Sequence, residues 1–305
     1  MKHKTWFRLI PAMLLLLLLS ACSSKSSSPI SAPADANKTP ADAVTSIATL
    51  LKVGNIDGFL KASLPQADYQ SLRKELEHSE FKTQPVTAED RAKFAAQMGK
   101  LTAPDAEATL FQQVQPMLAQ FESKYRAQLP MYLGMGQTMA TNAINKSITM
   151  TEQEKTQAKT VVQQLAQWVQ TTNWGDQAKA KQAIAIVVDT ARKLDIKTID
   201  QARALTYDQA MGKYSQVWGA GKQVLALYGL DLNKVFDSVS AKTLSSDANK
   251  ANVAYTYTLF DQPITGQVDL VQRDGHWYNP KFIDQVKKSL AESAASAASA
   301  SSTAH

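Results

Sequence analysis

The sequence predicts an α+β fold: a predominantly α-helical body followed by a small C-terminal antiparallel β-meander and a closing helix. Three observations predict it. Apolar residues recur at helical spacing from Val44 to Tyr228. Beyond Gly229 the period falls to two, over Asn252 to Phe260 and again over Ile264 to Val271. From Pro280 to Leu290 the helical period returns, with Phe282, Ile283 and Val286 on one side.

The chain begins with Lys2, Lys4 and Arg8, then an apolar run from Leu9 to Leu19, then Ser20 and Ala21 before Cys22. A positive segment followed by an apolar run too short to span a bilayer is the pattern of an export signal. Leu19-Ser20-Ala21-Cys22 resembles the bacterial lipoprotein box, and Cys22 is the single cysteine of the chain. The resemblance implies cleavage between Ala21 and Cys22, a diacylglycerol on the Cys22 sulfur, and a fatty acid such as palmitate on the new amino group. Each buried methylene of such chains is worth about 0.8 kcal/mol, so several chains on one residue anchor firmly. Ser23 stands where Gram-negative lipoproteins retained in the inner membrane carry aspartate. The resemblance therefore implies a lipid anchor at the periplasmic face of the outer membrane; a Gram-positive host would change that address.

Residues 1–21 read as the signal peptide, and 22–38, rich in Ser, Ala and Pro, as a flexible tether. The helical body is expected over 39–237, the β-meander with its helix over 238–290, and a disordered Ala/Ser-rich tail over 291–305. One cysteine allows no internal disulfide, so packing must hold the fold. The chain carries 33 Lys plus Arg against 27 Asp plus Glu, and three of the cations lie in the signal. That near-balance does not support nucleic-acid binding, which needs a clustered basic face.

Helix starts are marked by their caps. Thr39-Pro40-Ala41-Asp42 opens the first, with Val44, Ile47, Ala48, Leu50 and Leu51 inward. Gly54-Asn55 breaks it; Ile56, Phe59 and Leu60 begin a second, and Tyr69, Leu72 and Leu76 line a third. Thr87-Ala88-Glu89-Asp90 starts the next, and Pro104-Asp105 a long segment that Pro130 interrupts. Thr151-Glu152-Gln153-Glu154, Thr198-Ile199-Asp200-Gln201 and Thr206-Tyr207-Asp208-Gln209 have the form of capping boxes. The first leads to a buried side of Val161, Val162, Leu165, Trp168 and Val169. Ala183, Ile184, Ile186, Val187, Ala191 and Leu194 mark a further helix.

In the meander, Val253, Tyr255, Tyr257 and Leu259 share one face of a strand, and Ile264, Gly266, Val268 and Leu270 one face of the next. Asp261-Gln262-Pro263 reads as the turn between them. Arg273-Asp274-Gly275 is a tight hairpin turn into His276-Trp277-Tyr278. An earlier strand is expected near Val239 to Leu244.

Two pieces resemble one family. Pro40 to Val44, continued through Gly54-Asn55-Ile56-Asp57-Gly58-Phe59-Leu60, is similar to the opening helices of small periplasmic lipoproteins of NTF2-like, cystatin-like fold (the DUF4878 type). Val268 to Tyr278 is similar to that family's last hairpin. The resemblance implies helices packed on a curved sheet. It brings no catalytic residues, and a long helical stretch separates the two pieces. An independent helical domain with a β appendix is the alternative.

Few residues signal chemistry. His78 with Glu75 or Glu77 has the makings of a metal site, or of a solvated helix end. His276 lies near Asp274 and Asp269, in a catalytic partnership or a surface turn. Gly-x-Ser-x-Gly, a phosphate loop and His-Glu-x-x-His do not occur. The acid pairs Glu152 with Glu154 and Glu89 with Asp90 fall in first turns, where carboxylates complement the helix dipole. Met131, Met135 and Met139, spaced by four around Gly134 and Gly136, form the candidate ligand-binding stripe. Thioethers take Cu(I) and adapt to apolar partners; the plain alternative is core packing. Trp168, Trp174, Trp218 and Trp277 line either a pocket or the core. No catalytic residue, metal or cofactor is predicted.

The leading expectation is a non-catalytic protein-binding module at the periplasmic face of the outer membrane. One form of it is an immunity protein that plugs a periplasmic toxin. The alternatives are a carrier of a small apolar ligand held between the methionine helix and the sheet, and a cell-wall-modifying enzyme.

Overall fold

The Thr39 hydroxyl accepts the Asp42 N–H at 3.1 Å, Pro40 takes the first helical position, and the chain enters α1 (Pro40–Val53). The computed structural model describes residues 37–302. The expected signal segment through Ala21, the expected lipid-attachment residue Cys22 and the part of the expected tether up to Ala36 lie outside them. Asn37, expected within the tether, belongs to the fold. It is 2 % exposed, donates to the Ala62 carbonyl, and accepts from the Ser46 hydroxyl at 2.9 Å.

Helices α2 (Ile56–Ser63), α3 (Gln66–Glu77), α4 (Glu80–Thr83), α5 (Ala88–Thr102) and α6 (Ala106–Gln120) follow. A π turn (Phe121–Tyr125) and a 3-10 turn (Arg126–Gln128) lead into α7 (Leu129–Lys146). Then come α8 (Glu152–Thr171), α9 (Gln177–Leu194), α10 (Ile199–Ala204), α11 (Tyr207–Leu227) and α12 (Leu232–Asp237). All three expected capping boxes form, with Thr151, Thr198 and Thr206 as caps of α8, α10 and α11.

Strands β1 (Ser240–Ser246), β2 (Lys250–Leu259), β3 (Gln262–Arg273) and β4 (His276–Tyr278) make an antiparallel meander in that order. Tyr255 pairs with Gly266 and Tyr257 with Ile264. The turn between β2 and β3 is Phe260-Asp261, with φ of 50° and 63°, one residue earlier than the Pro263 signal suggests. Positive φ at both central residues matches the right-handed strand twist. Asp274-Gly275 closes β3 onto β4 in the same way, with φ of 52° and 77°. Val253, Tyr255, Tyr257 and Leu259 are buried on one face with Ile264, Gly266 and Leu270, as the alternation predicts. A Cβ on Gly266 would collide with the Tyr255 phenol, so glycine lets that ring lie across β3.

One apolar core joins α1, α2, Tyr69 of α3, Tyr207 and Met211 of α11, α12, the inner sheet face, and Ile283 and Val286 of α13 (Pro280–Ser302). It takes side chains from both sides of position 238. The C-terminus of α1 is capped locally by Gly54, in the left-handed region, and is also satisfied from afar. Trp218 of α11 donates its indole N–H to the Leu51 carbonyl at 2.7 Å. One turn on, buried Lys222 donates to the Lys52 carbonyl, and to Asn233 Oδ1 at 2.8 Å. Burial holds the Lys222 ammonium below its ordinary pKa.

Between positions 80 and 206 the buried apolar side chains among the described residues are Ala106, Ala166, Ala180, Val188 and Ala191. Small residues let helices approach closely, and α9 packs against α5, α6 and α11 in this way. Val187, one of the apolar residues that mark α9, is 43 % exposed. The closing helix also runs further than the sequence predicts. α13 continues past Ala291 to Ser302, through residues expected as a disordered tail, because alanine is the best helix former.

Candidate functional site

The methionine helix is built from a broken rod. Pro116 lies inside α6, and the π and 3-10 turns interrupt the chain before Pro130, which sits in the first turn of α7. The break therefore precedes the proline expected to cause it. Proline lacks an N–H and suits a helix start, where that donor has no partner anyway.

Helix α7 packs on α8. Its half-buried row is Leu129, Leu133, Gln137, Thr141 and Ile144. Met131, Met135 and Met139 each lie two residues past a member of that row. At 3.6 residues per turn that is about 200° round the axis, the opposite side. They are 57 %, 59 % and 71 % exposed, and Tyr132 beside them is 50 % exposed. The core-packing alternative is thus corrected: α7 has two apolar faces, and α8 covers the other one. Side chains added at Gly134 and Gly136 would meet nothing within 4 Å. From Ala127 to Asn145 the chain carries no charge, and Lys124, Arg126 and Lys146 flank the stretch.

The stripe cannot wrap one metal ion. Met131 and Met139 are eight residues apart, about 12 Å along the axis, beyond the reach of a single coordination sphere. Among the described residues, no group of three His, Cys, Asp or Glu side chains is placed to hold a metal. His78 Nδ1 lies 2.9 Å from the Lys74 carbonyl at the end of α3, and Glu77 pairs with Arg73 at 3.1 Å. His276 Nδ1 lies 2.9 Å from the Asp274 carbonyl, not from a carboxylate. Glu152 pairs with Lys155 at 2.8 Å and Glu154 with Lys281 at 2.6 Å, so these acids face cations rather than a shared cleft.

The tryptophans do not converge on one pocket. Trp168 meets Trp174 edge to face at 5.3 Å and stacks on Phe260 at 5.8 Å, while Trp174 stacks on Tyr228 at 5.0 Å. Trp218 serves α1, and Trp277 is buried in the core. An open cleft of about 510 Å³ lies among the end of α9, α10 and α11. Gln201 and Gln209 on its wall already accept the N–H groups of Thr198 and Thr206 in their capping boxes.

Two polar clusters escaped the sequence reading. Asp57 accepts the Tyr69 phenol at 2.7 Å and the Tyr207 phenol at 2.9 Å, and its second oxygen pairs with Lys61 at 2.6 Å. Burial pushes this carboxyl up, but the three donors outweigh burial and hold it below the ordinary aspartate range. Arg73 lies over the Tyr207 ring and forks onto Asp208 at 3.1 and 3.2 Å. Every oxygen of Asp57 is thus engaged by the fold. Beneath the sheet, Gln157 Oε1 accepts the Tyr255 phenol at 3.0 Å, while Gln157 Nε2 and the Tyr257 phenol are buried without a partner. Neither cluster is legible as a whole in the sequence, because each joins residues from more than one element.

No family model, curated protein or solved structure matches this chain.

Proposed function

We propose that the protein is a non-catalytic binding module, lipid-anchored through Cys22 at the periplasmic face of the outer membrane, that works by docking a protein partner. The observation that carries the binding role is the outward face of α7, where Met131, Met135 and Met139 stand exposed on a helix already packed on its other side. Contiguous apolar surface of this kind marks contact sites. The cores of protein interfaces are poor in charge and rich in methionine and aromatics, as this face is. Flexible thioethers mould themselves to a partner. The anchor is supported by the Leu19-Ser20-Ala21-Cys22 box. A ligand carrier needs the same methionines turned inward, so the exposed stripe favours docking over enclosure.

Native mass spectrometry on the chain purified from its own host tests the binding role, comparing wild type with Met135→Lys. A protein that co-purifies with wild type and is lost from the variant is expected. Bare masses from both would count against the proposal. The anchor is tested separately: Cys22→Ser should move the protein from the membrane fraction to the soluble periplasm. The immunity form of this reading expects deletion to expose the host to killing by siblings.

A further inference from the structure

We propose that the occupant of the α7 face is one amphipathic helix of a protein partner, carrying carboxylates near both of its ends. This rests on the protein-docking reading above and specifies the chemistry of its partner.

The spacing of the exposed residues is that of a helix–helix seam. Tyr132, Met135, Met139 and Asn142 follow one another at three, four and three residues, and all four face solvent. That is the period at which one helix presents knobs to another. A polar residue such as Asn142 within a seam sets its register. Gly134 and Gly136 leave open space beside the seam, so a second backbone can come close. At 18 residues, α7 offers roughly 27 Å of contact.

Charge selects among occupants. The seam itself is neutral, and its flanks are basic: Lys124 and Arg126 before α7, Lys146 at its last residue. Arg126 is already held by Glu122 at 3.3 Å and by the Thr172 carbonyl. Lys124 and Lys146 enter no ion pair among the described residues. A second copy is poorly suited. Antiparallel pairing brings Lys146 against Lys124 of the other copy, and parallel pairing sets Lys146 against Lys146. Like charges facing each other across a contact are unfavourable. A bilayer surface suits the cations but not the glycines. Each costs about 1 kcal/mol against alanine in an exposed helix interior and adds no apolar area. Between helices that loss is repaid by closer packing, so a protein helix with acidic ends fits both features.

The test uses the full chain in detergent and two labelled designed helices of about six turns, each with leucine at every seam position. One carries glutamates in its first and last turns, the other lysines. Fluorescence anisotropy in about 50 mM salt should show the acidic-ended helix binding at least about tenfold more tightly, a difference of roughly 1.4 kcal/mol. Met135→Glu should abolish binding with the circular dichroism melt unchanged; Met139→Gln, a milder change, should weaken it. Reversing the flanks with Lys124→Glu and Lys146→Glu should reverse the preference between probes. Equal affinity for both probes, or binding that survives Met135→Glu, would overturn the inference. So would sedimentation as a dimer that Met135→Glu dissociates, or flotation with phosphatidylglycerol vesicles lost in that variant. A host protein that co-purifies equally with wild type and Met135→Glu would sink this inference while leaving the broader docking role standing.

Discussion

Tyr207 and Asp57 stand 150 residues apart in the chain, yet the phenol donates to the carboxylate at 2.9 Å. Tyr69 donates to the same oxygen, and the two tyrosine rings meet edge to face at 6.3 Å. One carboxylate therefore locks α2, α3 and α11 together, at the boundary between the core and the long helical excursion.

Tyr207→Phe keeps the ring and removes the donor. The expected cost at neutral pH is about 1.5–3 kcal/mol, the range for a hydrogen bond to a charged group. The sign of its pH dependence follows from Asp57, whose carboxyl is held below its ordinary value. A lowered carboxyl stabilises the fold above its unfolded pKa, and this contribution disappears as pH falls through the lowered value. The deficit of Tyr207→Phe should be large near pH 7 and shrink once pH falls below the ordinary aspartate range. Urea unfolding in both pH ranges measures it. Equal deficits would mean that the phenol does not serve the ionised carboxylate.

Alkali should unfold the protein in one step. Burial pushes the Tyr255 phenol up to about 12 and raises Tyr207 and Tyr257 as well. A raised phenol stabilises the fold fully below the unfolded value of about 10, and that support is lost as pH climbs through the folded value. Tyrosinate absorbance from these residues should appear together with loss of circular dichroism between about pH 10 and 12. A gradual rise with the fold intact would show that the phenols are open to solvent.

Phe260 sits in the left-handed region, φ 50°, where a bulky side chain is strained by about 1–2 kcal/mol. Its ring lies nearly flat on Trp168, with 22° between planes. Phe260→Asn suits the turn better but forfeits the stack, worth about 0.5–1.5 kcal/mol beyond area burial. The substitution should destabilise the wild type and become neutral or stabilising once Trp168→Ala has removed the partner. A double-mutant cycle in urea decides this; an unchanged cost in both backgrounds would uncouple the two rings.

The outward methionines should be dispensable for folding. Met131→Gln, Met135→Gln and Met139→Gln should each change stability by no more than about 0.5 kcal/mol, as at ordinary surface sites. Leu133→Ala, on the α8 side, should cost about 1–2 kcal/mol, short of the figure for a fully buried leucine. Thermal unfolding of the four variants distinguishes the faces. A large loss from Met135→Gln would return the stripe to the core.

The contrast with β2 shows what a one-dimensional pattern carries. Val253, Tyr255, Tyr257 and Leu259 alternate with small and polar residues, so only one face could be buried, and it is. Thr151, Thr198 and Thr206 are equally legible, because a cap acts on its own first turn. Helix α7 is different: Leu129, Leu133 and Ile144 compete with Met131, Met135 and Met139, and spacing cannot say which row meets α8. The Asp57 cluster was beyond reach for another reason. Tyr69 reads as a residue lining its own helix and Tyr207 as a position in a capping box, and only the fold brings their hydroxyls to one oxygen.

Beyond the local cap at Gly54, the Leu51 and Lys52 carbonyls of α1 receive donors from Trp218 and Lys222, which lie 167 and 170 residues downstream. During synthesis α1 is therefore made early, and its contacts with α11 come late. The apolar sides of α1 and α2 wait, uncovered, until the ribosome has delivered α11, the meander and Val286. Closing contacts across so long a loop is entropically slow, so assembly cannot proceed from the N-terminus outward as each piece appears. A chain truncated before residue 218 would keep the local Gly54 cap of α1 but lack the long-range donors to Leu51 and Lys52, and with them the side chains that cover α1.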